Sequence, residues 1–135
     1  MSVYAVIDTN VIVSALLNDD SIPGFIINCI GNHIVIPIIH DSIIDEYKDV
    51  LNRKKFNFDK TIVNTFVDSI KRIGYYASII DSKRQFIDEN DKKFYDLYYS
   101  VKKENVFLIT GNKKHFPNEN NVVSPREFLG VLANI

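Results

Sequence analysis

The chain has 135 residues, 46% of them hydrophobic and 24% charged, a composition that excludes a disordered or fibrous chain and allows one domain with a buried core. Its 16 basic and 17 acidic residues leave a formal charge of −1, which neither demands nor excludes nucleic-acid binding; a binder of this composition has to gather its Lys and Arg on one face. A single cysteine excludes an intramolecular disulfide and a cysteine-rich zinc site, and with no bilayer-length apolar run and no basic leader the expectation is a cytoplasmic protein without a membrane partner.

In chain order, "VYAVID" (3–8) is expected to form a strand and "NVIVSALLN" (10–18) a short helix. Pro-Gly in "SIPG" (21–24) is a turn signal. "FIINCIGN" (25–32) reads as an apolar helix that places Cys29 in the core as a small hydrophobe, and "HIVIPII" (33–39) as a continuous apolar strand. Over 41–53, Ile43, Ile44, Tyr47, Val50 and Leu51 fall on one helical stripe. A second amphipathic helix covers 59–74 and is expected to end in a left-handed cap at Gly74. "YYASIID" (75–81) is expected as a strand, "DKKFYDLYYSVKKE" (91–104) as a helix and "NVFLIT" (105–110) as another buried strand. The last helix, 124–133, opens with Ser124 as N-cap, Pro125 at its first position and Glu127 at N3.

Short, continuous apolar strands alternating with amphipathic helices specify an α/β fold whose parallel sheet is covered on both faces. In open sheets of this kind the site lies outside the carboxyl ends of the strands. The strand ends to consider are Asp8-Thr9-Asn10, His40-Asp41, Asp81 and Thr110-Gly111-Asn112.

Asp8 ends the first strand, where an isolated charge is costly to desolvate. It can cap the following helix, a role equally open to Thr9 or Asn10, or it can be one corner of a cation site. Glu46 lies on the border of its helical stripe, with Asp45 and Asp49 on the solvent side. It either points into a cleft beside the sheet or is a solvated Glu that pairs with Arg53. Asp91 lies on the same side as the stripe of Phe94, Leu97, Tyr98 and Val101, at a helix start where any acid gains from the macrodipole. Asp88 is placed to cap that helix, and Asp96 points away. Together, three acids stand where such a sheet builds its site. Clustered carboxylates stay ionised only when cations offset them, and oxygen-rich sets suit Mg²⁺ or Mn²⁺, ions that serve phosphodiester cleavage.

Five blocks, "VIDTNVIVSAL", "SIIDEYKDVLNRKKF", "DENDKKFYDLYYS", "VFLITGNKKHFP" and "SPREFL", in this order and spacing, resemble the PIN-domain family over essentially the whole chain. The closer resemblance is to the small single-domain VapC-like toxins of type II toxin–antitoxin systems. It implies a three-layer α/β/α sandwich with a central, mainly parallel sheet, as a single PIN-like nuclease domain over 1–135. It further implies a ribonuclease that cleaves RNA phosphodiester bonds with one or two Mg²⁺ or Mn²⁺ ions. By this resemblance Asp8, Glu46 and Asp91 are the catalytic acids that hold metal, and Thr110 bonds an acid or water of the site through its hydroxyl. Thr9 and Asn10 support the turn after the first strand. A fourth acid often follows the last buried strand. Here Asn112 stands in that place, with an amide oxygen to offer but no negative charge, so a second ion is expected to bind more weakly. Relatives in this subgroup also carry "TGN", and Asn112 is therefore not read as inactivating.

Substrate binding then calls for local positive charge. Lys113 and Lys114, and Arg53, Lys54 and Lys55, are the candidates to contact RNA; each also reads as ordinary solvated surface. Nearby Tyr and Phe side chains suit base stacking. His115 is expected to fix its loop or contact RNA, His40 to line the cleft and His33 to lie on the surface, and their spacing matches no zinc motif. The resemblance implies a separately encoded antitoxin and a homodimer as partners, for which Tyr98-Tyr99 and the line Ile62, Phe66, Ile70 offer surface. One rival reading is a PIN domain that only binds RNA or protein, with Asn112 marking a lost site. Another is a metal-dependent phosphatase, against which Asn10 counts, because a phosphoaspartate enzyme carries a second Asp two residues after its nucleophile.

Overall fold

Strands and helices alternate through residues 2–135, which are the residues described by the computed structural model. β1 (Val3–Ile7) leads to α1 (Thr9–Leu17) and α2 (Ile22–Gly31), and β2 (Val35–Ile39) to α3 (Asp41–Leu51) and α4 (Lys60–Ile73). β3 (Tyr75–Tyr76) precedes α5 (Glu89–Ser100), β4 (Val106–Ile109) precedes β5 (Val122–Val123), and α6 (Pro125–Leu132) closes the fold. Short 3₁₀ turns stand at Lys54–Phe56 and Lys113–His115. The sheet order is β3-β2-β1-β4-β5, and every pairing is parallel. One helical group joins α1, α2 and α6, another joins α3, α4 and α5, and α5 packs against β1, β2 and β4. This is the three-layer α/β/α sandwich that the sequence implies.

The strands are apolar because both of their faces are covered. β4 is buried at every position, and Ala5, Val6 and Ile7 of β1 are buried too. Tyr47, Phe94, Tyr95, Tyr98 and Phe128 are the bulkiest fully buried side chains, each removing enough apolar area to contribute about 1.5–3 kcal/mol. The order of the strands places the functional crevice. From β1 the chain moves outward on one side to β2 and β3, then crosses to β4 and β5 on the other side. The carboxyl ends of β1 and β4 therefore flank the switch point, where open parallel sheets bind ligands.

Several local expectations are corrected. Pro23 and Gly24 form the first turn of α2 instead of a separate turn. Ser21 caps that helix by accepting from the Gly24 N–H at 3.1 Å, and the proline ring fits a helix start, where its missing N–H is not needed. A Cβ at Gly24 would lie 2.3 Å from the Asp19 carbonyl oxygen, so glycine serves a close approach. Gly74 is extended (φ −74, ψ 156), not left-handed, because α4 runs straight into β3. The strand expected over 75–81 pairs only at Tyr75–Tyr76. The Ala77 N–H still donates to the Ile39 carbonyl at 3.0 Å, after which the chain leaves the sheet. Asp96 faces away from the stripe yet is buried, because it accepts from the Ser82 N–H at 3.1 Å and from Lys92 at 2.6 Å. β5 was not expected; its partner is β4, with Leu108 opposite Val122. The caps at Asp88 and Ser124 form as the sequence indicates, the second as a full capping box.

Candidate active site

Register builds the first corner of the site. Ile7 pairs with Ile109, so the residues that follow them, Asp8 and Thr110, emerge side by side. The Asp8 N–H donates to the Ile109 carbonyl at 2.9 Å, and the Thr110 hydroxyl donates to Asp8 Oδ2 at 2.8 Å. Asp8 occupies the N-cap position of α1, but its carboxylate makes no capping bond. Between the two roles that position allows, capping is therefore excluded. Thr9 and Asn10 do not cap the helix either. The Thr9 hydroxyl donates to Glu46 Oε2 across to α3, and Asn10 Oδ1 accepts from the Gly111 N–H at 3.3 Å.

Tyr47 sets the second and third corners. Its buried hydroxyl donates to the Ile7 carbonyl at 2.6 Å, which docks α3 onto the end of β1 and carries the adjacent Glu46 to the crevice. The Tyr47 ring lies 6.5 Å from that of Phe94, which fixes α5 against α3 and sets Asp91, one turn earlier on α5, at the same opening. The result is a cleft of about 510 Å³ that includes Asp8, Glu46 and Asp91 in its lining, with Asp45, Asp49 and Asp88 toward its rim. Arg53 and Lys93 are the cations in that lining. Another cavity, of about 470 Å³, lies near the starts of β1 and β4 among Tyr4, Tyr75 and Val106, and carboxylates are absent from its lining.

The electrostatics follow from burial. Removal from water raises Asp8 from 3.8 to about 6; the Thr110 bond opposes this, and the charges of Asp91 and Glu46 add to it. Burial also raises Asp91, with Asp88 pushing the same way and His115 opposing. Tyr47 is held far above its ordinary range, first by complete burial and then by Asp8 and Glu46, so it stays a neutral donor. Basic groups also reach Glu46 and Asp91. Lys93 Nζ lies 2.5 Å from Glu46 Oε1, and His115 Nδ1 lies 3.4 Å from Asp91 Oδ2. Among the described residues, no three acidic, histidine or cysteine side chains form a ready-made cation cage. The donor set nonetheless has the chemistry a hard divalent cation needs. It offers carboxylate oxygens from three elements, one of them disfavoured in its charged form until a cation offsets it.

The structure thus brings Asp8, Asn10, Glu46 and Asp91 into the lining of one cleft, with Thr9, Thr110 and His115 in contact with those acids. It does not bring Asn112 there in the same sense. The Asn112 backbone N–H donates to the Thr110 hydroxyl at 3.0 Å, while its side chain is absent from the cleft lining. Glu46 does not pair with Arg53, which instead meets Asp49 at 3.2 Å. Lys113 is tied to Glu127 at 2.8 Å, and Lys114 is exposed beside it. His40 caps α3 by accepting from the Ser42 N–H at 3.1 Å and does not line the cleft. Asp81 lies outside it, bound to Lys92 at 2.7 Å. Sequence reasoning missed Lys93. Its only signal was a cation on the first turns of α5, where the helix dipole disfavours positive charge.

A family model for the PIN domain matches residues 4–114. An uncharacterized protein of Methanocaldococcus jannaschii is 29% identical over 116 residues, which cover 84% of this chain and 73% of that protein. No solved structure matches. Among the described residues no helix is long and apolar enough to cross a membrane.

Proposed function

This chain belongs to the PIN-domain family, whose fold is of nuclease type, and on that premise we propose that it is a Mg²⁺- or Mn²⁺-dependent endoribonuclease. The observation that carries the reading is the convergence of Asp8, Glu46 and Asp91 on one cleft at the β1/β4 switch point. Asp8, Glu46 and Asp91 would hold the ion. A divalent cation bound there supplies charge that activates water and stabilises a leaving oxygen in phosphodiester cleavage. The chain's own groups do the positioning. Thr110 fixes the rotamer of Asp8, Thr9 and Lys93 hold Glu46, and His115 restrains Asp91. Arg53 at the cleft wall and exposed Lys114 beyond it offer positive charge to an RNA backbone.

Within this reading the chain acts as the toxin of a type II toxin–antitoxin pair, with an antitoxin and a second copy of itself as partners. Exposed Tyr99 and Ile62 are available to such contacts, whereas Tyr98 and Ile70 are buried and are not. A second reading, an RNA- or protein-binding module without catalysis, draws support from Asn112, which brings no charge and stands outside the cleft lining. A metal titration separates the two. The enzyme reading expects Mn²⁺-dependent cleavage of single-stranded RNA that Asp8→Asn abolishes. Cleavage by Asp8→Asn equal to wild type removes the proposed mechanism, and no cleavage by either protein favours the binding module.

A further inference from the structure

Lys93 is the feature of the cleft that the reaction as described leaves without a purpose beyond holding Glu46. It sits two residues after Asp91 on α5, and its stem brings Nζ within 5.8 Å of the Phe94 ring centroid. The ammonium lies 2.5 Å from Glu46 Oε1, with side chains 28% and 18% exposed, so the pair is largely shielded from screening. Glu46 Oε2 is occupied by the Thr9 hydroxyl. Both oxygens of Glu46 are thus engaged, one by a neutral donor and one by a full positive charge. A divalent cation that takes Glu46 tolerates the Thr9 hydroxyl, which carries no charge, but is repelled by the ammonium. The other cation of the lining, Arg53, meets exposed Asp49 at the rim and not Glu46.

We infer that Lys93 is an exchangeable internal counter-ion: it neutralises Glu46 while the cleft is without metal, yields that carboxylate to a divalent cation, and is thereby released as a contact for the phosphate of the substrate. The inference rests on the metal-dependent reading of the cleft and deepens it. Geometry supports the release. Lys93 is in the lining of the same cleft as Asp8 and Asp91, so an ammonium displaced from Glu46 remains on the wall that a phosphodiester has to face. A lysine is suited to this exchange because its charge is a compact point on a flexible stem. The exchange also explains why a cation is tolerated near an N-terminal helix turn, where it opposes the macrodipole.

The test uses the full chain with Lys93→Met, which keeps the stem and removes the charge, beside Lys93→Arg and the distant exposed Lys103→Met. Calorimetric titration with Mn²⁺ alone is expected to show at least about fivefold tighter binding for Lys93→Met, a typical coupling between two ligands that compete for one site. Lys93→Arg and Lys103→Met are expected to stay near wild type. Fluorescence anisotropy with a cleavage-resistant single-stranded oligonucleotide and Ca²⁺ is expected to show weaker binding for Lys93→Met, with Lys93→Arg restoring it. Circular dichroism establishes that each variant is folded. Equal Mn²⁺ affinity in wild type and Lys93→Met, or unchanged oligonucleotide binding, overturns the role of Lys93 alone. Absence of Mn²⁺ binding in both proteins overturns the metal-dependent reading and this proposal with it.

Discussion

Replacing Asp8 by Asn should stabilise the metal-free protein. Asp8 is 6% exposed, and burial, with help from Asp91 and Glu46, raises its carboxyl from 3.8 to about 6. The folded state therefore binds the proton more tightly than the unfolded chain does. Stability from this group is fully present below the unfolded value of 3.8 and is lost as pH rises through the folded value of about 6. The loss at neutral pH is about 3 kcal/mol, from the size of that displacement. Asn removes the charge and keeps an oxygen that can accept from the Thr110 hydroxyl, which donates to the carboxylate at 2.8 Å. Urea unfolding in EDTA, followed by circular dichroism, is expected to show Asp8→Asn more stable than wild type by ~2–3 kcal/mol at about pH 8, with the gap closing toward about pH 4. The melting temperature in EDTA should rise by roughly 10 °C. Added Mn²⁺ should close the gap, since only the wild type gains binding energy, about 2.7 kcal/mol when the ion is at about a hundred times its Kd, and should reverse the order at about a thousand times its Kd, where the gain is about 4.1 kcal/mol. Equal stabilities in EDTA at alkaline pH, or a gap that does not change with pH, would refute the reasoning.

Thr110→Val removes the donor to Asp8 and the acceptor of the Asn112 N–H while conserving volume at a fully buried position. Mn²⁺ affinity by calorimetry should fall about 10–100-fold, the usual cost of losing a partner that orients a ligand. Because the Thr110 bond lowers Asp8, the pH at which Mn²⁺ binding appears should also move upward. Gly24→Ala places a Cβ 2.3 Å from the Asp19 carbonyl oxygen, a backbone atom. It should destabilise the fold by about 1–3 kcal/mol in urea titrations, with Mn²⁺ binding by the folded fraction unchanged.

Much of the fold was legible because burial on both faces writes itself into sequence as uninterrupted apolar runs. β1, β2 and β4 are such runs, and Ile43, Ile44, Tyr47 and Leu51 on α3 show the helical period plainly. β5 escaped because two valines give no period, and its strand character comes from the neighbouring β4. The strand at 75–81 was overextended for the converse reason. Tyr75 and Tyr76 have β-forming side chains but lie half exposed at the sheet edge, and no further strand pairs beyond them. At the candidate site, the strand-end rule and the stripe borders put Asp8, Glu46 and Asp91 forward as candidates, each with an ordinary structural alternative, and the family resemblance singled them out. What holds them could not be read the same way. The bonds Thr9–Glu46, Lys93–Glu46 and His115–Asp91 join residues far apart in sequence through docking of α3 and α5, which hangs on the Tyr47 hydroxyl. Asp96 makes the same point, because its burial depends on Ser82 and Lys92 arriving from elsewhere in the fold.

The central claim is that Asp8, Glu46 and Asp91 act as one cation site. Anomalous scattering from crystals grown with Mn²⁺, collected at the manganese edge, measures this directly. The account predicts a peak in the β1/β4 crevice within about 2–2.5 Å of oxygens from these side chains, some contacts running through water. A well-ordered crystal with no peak there, or with manganese bound only elsewhere on the molecule, would contradict it.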